Sequence, residues 1–165
     1  MRELQFSIQT IVLALLIMLS ACNPKPKTEA FSTKNTIGID GGFLYSGFLG
    51  GVSSSINYER FINRFMILRT GIGYYLLAGS DSGINCKQIP LTINLITGRR
   101  NSYFEVDLGG RILFDIKDYK NNPTFENRIF PIVNIGYRYQ KPKGGLFFKS
   151  LIGIDGLTLG LGYAF

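Results

Sequence analysis

The chain has 165 residues, 45% of them apolar and 18% charged, with 20 Gly and 6 Pro. That is one-domain length, and the balance excludes a disordered chain or a Pro-rich linker. Lys and Arg number 18 against 11 Asp and Glu, for a formal charge of +7. The basic residues form no single run, so nucleic acid is not expected as a partner. Histidine is absent and the cysteines are Cys22 and Cys86 alone, which excludes an imidazole zinc site and a disulfide scaffold.

Residues 1–21 read as an address. Arg2 and the amino terminus give a positive start, and Ile11 to Leu19 is an unbroken apolar core. That core is too short for a spanning helix, which needs about 20 residues, and it suits a signal peptide. Its end, Leu19-Ser20-Ala21-Cys22, resembles the bacterial lipobox, which implies cleavage before Cys22 and acylation of that residue. An ordinary secretory signal is the alternative, and Leu19 fits it poorly at the −3 position. Cleavage removes only Arg2 and Glu3 among the charges, leaving +7. Residues 22–35, polar and proline-bearing, read as a flexible tether.

From Thr36 to Phe165 apolar residues alternate with small or polar ones, and turn residues recur at short intervals. This is an all-β signal. Eight strands are expected, over about 36–45, 48–61, 65–77, 87–97, 102–115, 128–140, 145–154 and 156–165. Tight turns are expected at 62–64, 98–101 and 141–144, and longer loops at 78–86, which ends on Cys86, and at 116–127. Pro90 and Pro131 lie near the starts of their strands, so they are expected at rims or bulges. Strands of about 9–11 residues suffice to cross a bilayer when tilted.

Two faces follow from the alternation. One is apolar on every strand and nearly free of charge. The other is rich in Gly, Ser, Thr and Asn and carries Asp40, Glu59, Glu105 and Asp107 together with Arg69, Arg111, Arg138 and Lys149. In a soluble sandwich or lipocalin-like barrel the apolar face turns inward. Small residues and balanced charges instead suit the crowded interior of a narrow barrel, with the apolar face against lipid. The expected fold is a closed antiparallel up-and-down eight-stranded transmembrane β-barrel over 36–165. Aromatics such as Tyr45, Tyr58, Tyr74, Phe104 and Tyr137 fall near strand ends, as in an interfacial girdle, although ordinary core aromatics are the plainer reading.

The final strand, with Leu159, Leu161, Tyr163 and Phe165 at alternate positions, resembles the C-terminal insertion signal of outer-membrane barrels. The strand pattern resembles the small OmpA/OmpX-like eight-stranded families. The resemblance implies an outer-membrane location with a periplasmic N-terminus. It also implies membrane lipid and the barrel-assembly machinery as partners, and it names no external partner. Cys22 and Cys86 would then lie on opposite sides of the membrane and form no mutual disulfide. Arg64, Arg99, Arg100, Lys141 and Lys143 would face the inner leaflet, where they either attract anionic lipid or simply keep the turns soluble.

Without histidine, Ser-His and Asp-His mechanisms are excluded, and no enzymatic activity, cofactor or metal is expected. Glu105 and Asp107 are a formal carboxylate pair, but an interior salt network is the stronger reading. Two function classes remain. One is a structural or interaction barrel working through its outer loops in membrane integrity, adhesion or assembly. The other is a narrow pore or small-ligand binder, with a soluble lipid-binding barrel behind both.

Overall fold

The computed structural model describes residues 32–46, 49–78, 83–118, 128–154 and 156–165. These form eight strands: β1 Asn35–Ser46, β2 Leu49–Asn63, β3 Met66–Ala78, β4 Gly83–Arg99, β5 Ser102–Asp118, β6 Arg128–Gln140, β7 Gly145–Gly153 and β8 Gly156–Ala164. Each pairs antiparallel with its sequence neighbours, and β1 pairs with β8 from Thr36↔Ala164 to Leu44↔Gly156, closing the sheet into an up-and-down barrel. Closure leaves no unpaired edge. At the seam Phe165 and Asn35 exchange backbone hydrogen bonds of 2.9 and 3.1 Å. The signal segment, Cys22 and most of the expected tether lie outside the described residues. The tether's last residues engage the barrel: Ser32 donates its backbone N–H to Pro142 O at 3.0 Å, and β1 begins one residue earlier than expected, at Asn35.

The period-two pattern decides which side chains point in. Along β3 and β4 buried and exposed positions alternate, with Ile67, Arg69, Gln88, Thr92, Asn94 and Ile96 inside and Leu68, Ile72, Leu91 and Ile93 outside. The outer face is therefore an aliphatic band. Tyr58, Phe104, Tyr137, Tyr139, Tyr163 and Phe165 edge it at the end of the tight turns, and Phe43 and Tyr74 edge it toward the opposite, loop end. Tyr45 has no described side chain.

The interior is asymmetric around its circumference. Strands β1 and β8 present small residues inward, among them Gly38, Gly160 and Gly162, while β6 and β7 present Arg138, Phe147 and Lys149. A Cβ at Gly162 would stand 2.5 Å from the Phe147 ring, and one at Gly160 would run into Asp40 and Lys149. Large side chains of β7 thus lie over the glycines of neighbouring β8 with which they pair, Phe147 with Gly162 and Lys149 with Gly160.

Strands β4 and β5 are longer than expected, 17 residues each, because their pairing continues toward the loop end as far as Ile84↔Asp118. Two consequences differ from the sequence expectation. Cys86 does not close a loop; it lies in β4 opposite Tyr75, 2% exposed, its thiol 3.6 Å from Tyr75 O. Pro90 is not at a rim but well inside β4, facing the interior, and the β3–β4 pairing lapses beside it between Thr70↔Leu91 and Gly73↔Gln88 without a change of register. The ring lacks the N–H that the ladder would use, and the long flanking pairing on both sides holds the strand in place. A bulge sits next to Cys86, where the β4–β5 register slips between Asn85 and Lys87. Asp115 there takes φ +53°, a left-handed conformation that Asp tolerates better than most residues and that such bulges use.

Two outcomes follow. Gly162→Val overfills the space beside Phe147 and lowers folding stability by about 1–3 kcal/mol, measured by denaturant titration of the refolded barrel. Cys86 in the folded protein reacts with a maleimide far more slowly than in denaturant, measured by mass shift over time; equal rates would place the thiol in solvent.

Candidate functional site

The eight charged residues of the polar face all point into the barrel and all are less than 9% exposed. They come from six strands, so the sequence separations are large and closure alone brings them together. Arg138 of β6 is the centre. Its Nη2 pairs with Glu59 Oε2, its Nη1 lies 3.3 Å from Glu105 Oε2, and its Nε donates to Gln140 Oε1 at 2.7 Å. Lys149 of β7 bridges two carboxylates, Glu59 Oε1 at 2.9 Å and Asp40 Oδ2 at 3.1 Å. Arg69 of β3 bridges Asp40 Oδ2 at 3.1 Å and Asp107 Oδ2 at 2.9 Å. These contacts form one chain, Asp107–Arg69–Asp40–Lys149–Glu59–Arg138–Glu105, in which each internal member has two oppositely charged neighbours.

Neutral side chains add hydrogen bonds to two of the carboxylates, Glu59 and Glu105. Thr36 Oγ1 donates to Glu59 Oε2 at 2.8 Å, and Asn94 Nδ2 donates to Glu105 Oε1 at 2.7 Å. Thr92 Oγ1 in turn donates to Asn94 Oδ1 at 2.7 Å, which fixes the amide's orientation. Added hydrogen bonds of this kind help to offset the desolvation of a buried ion pair, which costs several kcal/mol per ion before any pairing is counted.

Arg111 occupies a different layer, nearer the loop end. Its guanidinium lies over the Tyr75 ring, 5.0 Å from the centroid, and Nη1 donates to Gln88 Oε1 at 3.4 Å. Toward the turn end the network gives way to apolar residues. Phe61, Ile67, Ile96 and Tyr103 form a buried cluster, and Arg138 stacks over Phe147 at 4.5 Å and approaches Phe61 at 5.8 Å. Sequence reading did not single out this apolar floor, yet its signal was present. Phe61, Ile67, Ile96, Tyr103 and Phe147 each stand two residues from an inward polar residue, namely Glu59, Arg69, Asn94, Glu105 and Lys149. They share its face by parity alone.

The chemistry available to this arrangement is limited. The middle of the barrel is filled by side chains less than 2% exposed, among them Arg138, Lys149, Glu59, Glu105 and Gln140. Its carboxylates are engaged by cations, which leaves them poorly suited to act as nucleophile or general base. The network is a charged plug that sets the barrel's interior. At the loop end Lys87 Nζ and Asp115 Oδ2 form a further ion pair of 2.9 Å, each side chain more than 40% exposed; solvent screens such a contact. No protein-family model matches the chain, and no curated protein matches it.

Arg138→Leu strands Glu59 and Glu105 without their shared cation and costs about 3–5 kcal/mol. Lys87→Ala, which removes the screened surface pair, leaves the unfolding midpoint unchanged. Paired denaturation curves check both, and equal midpoints for Arg138→Leu and the parent protein would mean that water reaches the network.

Proposed function

We propose that the chain is a bacterial outer-membrane β-barrel with a structural or interaction role, acting through its external loops in membrane integrity, adhesion or assembly. The observation that carries this reading is the outer face. Large apolar side chains stand exposed on every strand, for example Ile39 at 62%, Ile72 at 58% and Leu161 at 59%, around a barrel whose charges are inside. A continuous apolar surface of this kind needs a cover, and lipid supplies one that a closed, edge-free sheet can enter. The aromatic residues at the two ends of the band suit the two interfaces.

On this reading residues 1–21 are a signal peptide, Cys22 is acylated, and the N-terminus and tight turns are periplasmic. Leu159, Leu161, Tyr163 and Phe165 on the outer face of the last strand serve as the contact for the assembly machinery. No catalytic activity is assigned. The filled interior supports a structural role over a conducting pore or small-ligand binder, since a solute passing the middle of the barrel has to displace paired charges.

The protein made in a Gram-negative host is expected to fractionate with the outer membrane and to migrate faster on a gel unheated than boiled. Phe165→Ala is expected to reduce the assembled fraction. Recovery of the processed chain in the soluble periplasm overturns the membrane reading. Steady unitary conductance in planar bilayers overturns the structural role and favours the pore.

A further inference from the structure

The charge of the barrel is sorted by position. Four acids and four bases fill the interior. Toward the loop end the described residues carry both signs, in Lys87 and Asp115. The turn end carries Lys34, Arg60, Arg64, Arg99, Arg100, Lys141 and Lys143, all exposed, and among the described residues there it has no exposed acid. The turn rim is therefore a one-signed cationic ring placed directly against the apolar band.

One stretch of that rim is more than a ring. On the outer face of β4 to β8 a groove of about 720 Å3 opens at Arg99 and Ser102 and runs between Phe104 and Tyr137 toward Ile152 and Leu157. Its volume falls in the ~300–1,000 Å3 range of small-ligand clefts. The groove exists because three outward positions are small. Thr97, Ser102 and Ser150 stand where neighbouring rows carry large apolar or aromatic residues, so the backbone at Gly98 and Gly136 forms the floor. Ser150 is the central one, paired across the sheet with Tyr137 on one side and Leu159 on the other. The Ser102 and Tyr137 hydroxyls meet at 3.0 Å, giving the mouth a polar edge where Ser102 pairs with Arg99 across the strands.

We propose that this groove is a binding site for an anionic phospholipid, one acyl chain lying along the apolar walls and the phosphate at Arg99 and Arg100. Charge complementarity selects the occupant. An apolar slot alone accepts any hydrocarbon chain, but its mouth opens onto a rim of cations with no exposed acid to offset them. A headgroup with net negative charge gains from the whole ring, whereas a zwitterionic one brings its own cation into it. Arginine is suited to the contact, since its planar fork of donors matches phosphate oxygens.

The inference rests on the membrane reading, and the test separates the two. The full chain, refolded into detergent micelles holding equal phosphatidylglycerol and phosphatidylcholine, is analysed for retained lipid by native mass spectrometry. Insertion into pure phosphatidylcholine vesicles is followed in parallel by heat-modifiable mobility. The parent protein is expected to retain phosphatidylglycerol in preference, by roughly fivefold for each arginine that meets the phosphate. The preference is expected to vanish both in Arg99→Ala/Arg100→Ala and in Ser150→Phe, which fills the groove without touching a charge, while all three chains still insert. Equal retention of the two lipids, or a preference that survives Ser150→Phe, overturns the groove as the site and leaves the membrane reading standing. Failure of the parent protein to insert into the vesicles overturns both.

Discussion

Neutralising charge inside a closed barrel is the constraint on which the rest of this structure depends. Once β8 pairs with β1, the inward side chains of the middle of the barrel are cut off from water by the sheet. An unpaired ion in that space is prohibitively costly. Arg138, Lys149 and Arg69 meet Glu59, Glu105, Asp40 and Asp107 from six different strands, so the ion pairs form only in one register of all the strands between them. A slip of one residue in any strand would turn its charges outward into the apolar band. The network thus specifies the register as much as it fills the interior.

That requirement explains the composition of the walls. Long cationic side chains on β6 and β7 need room, and the glycines of β1 and β8 give it. The apolar floor at the turn end shields the network from the nearer rim, and the Phe147 and Phe61 rings lie beside the central guanidinium, which favours the cation electrostatically. At the other end Tyr75 does the same for Arg111. Aromatic rings bracket the charges on both sides along the axis.

The outside obeys a different rule. There the sheet is apolar around its middle and changes character at each edge. Aliphatic residues fill the middle, aromatics mark the ends, and beyond the turn-end aromatics the exposed charges are all cations. Among the described residues the interior is neutral and the loop end mixed, so their excess positive charge is concentrated at a single rim, where a diffuse property of the composition becomes a directional one.

By itself the sequence determined the strands, their number and their two faces. The period of two is a local property, so Asp40, Glu59, Arg69, Glu105, Asp107, Arg111, Arg138 and Lys149 were assignable to one face without knowing any neighbour. Parity also held the apolar floor, at two residues from the charged positions, but aliphatic and aromatic residues on a polar face carry no sign that they are inside. What only the tertiary structure decided was partnership and extent. Arg111 looked equivalent to Arg138 in sequence, yet it lies over Tyr75 in another layer, because strand stagger and not spacing sets the height of each side chain in the barrel. Cys86 looked like a loop residue, and Pro90 like a rim or bulge position near a strand start, since Gly, Asn and Pro weaken the local strand signal there. They are strand residues because β4 is held on both sides by long partners, and cross-strand pairing overrides weak local preference.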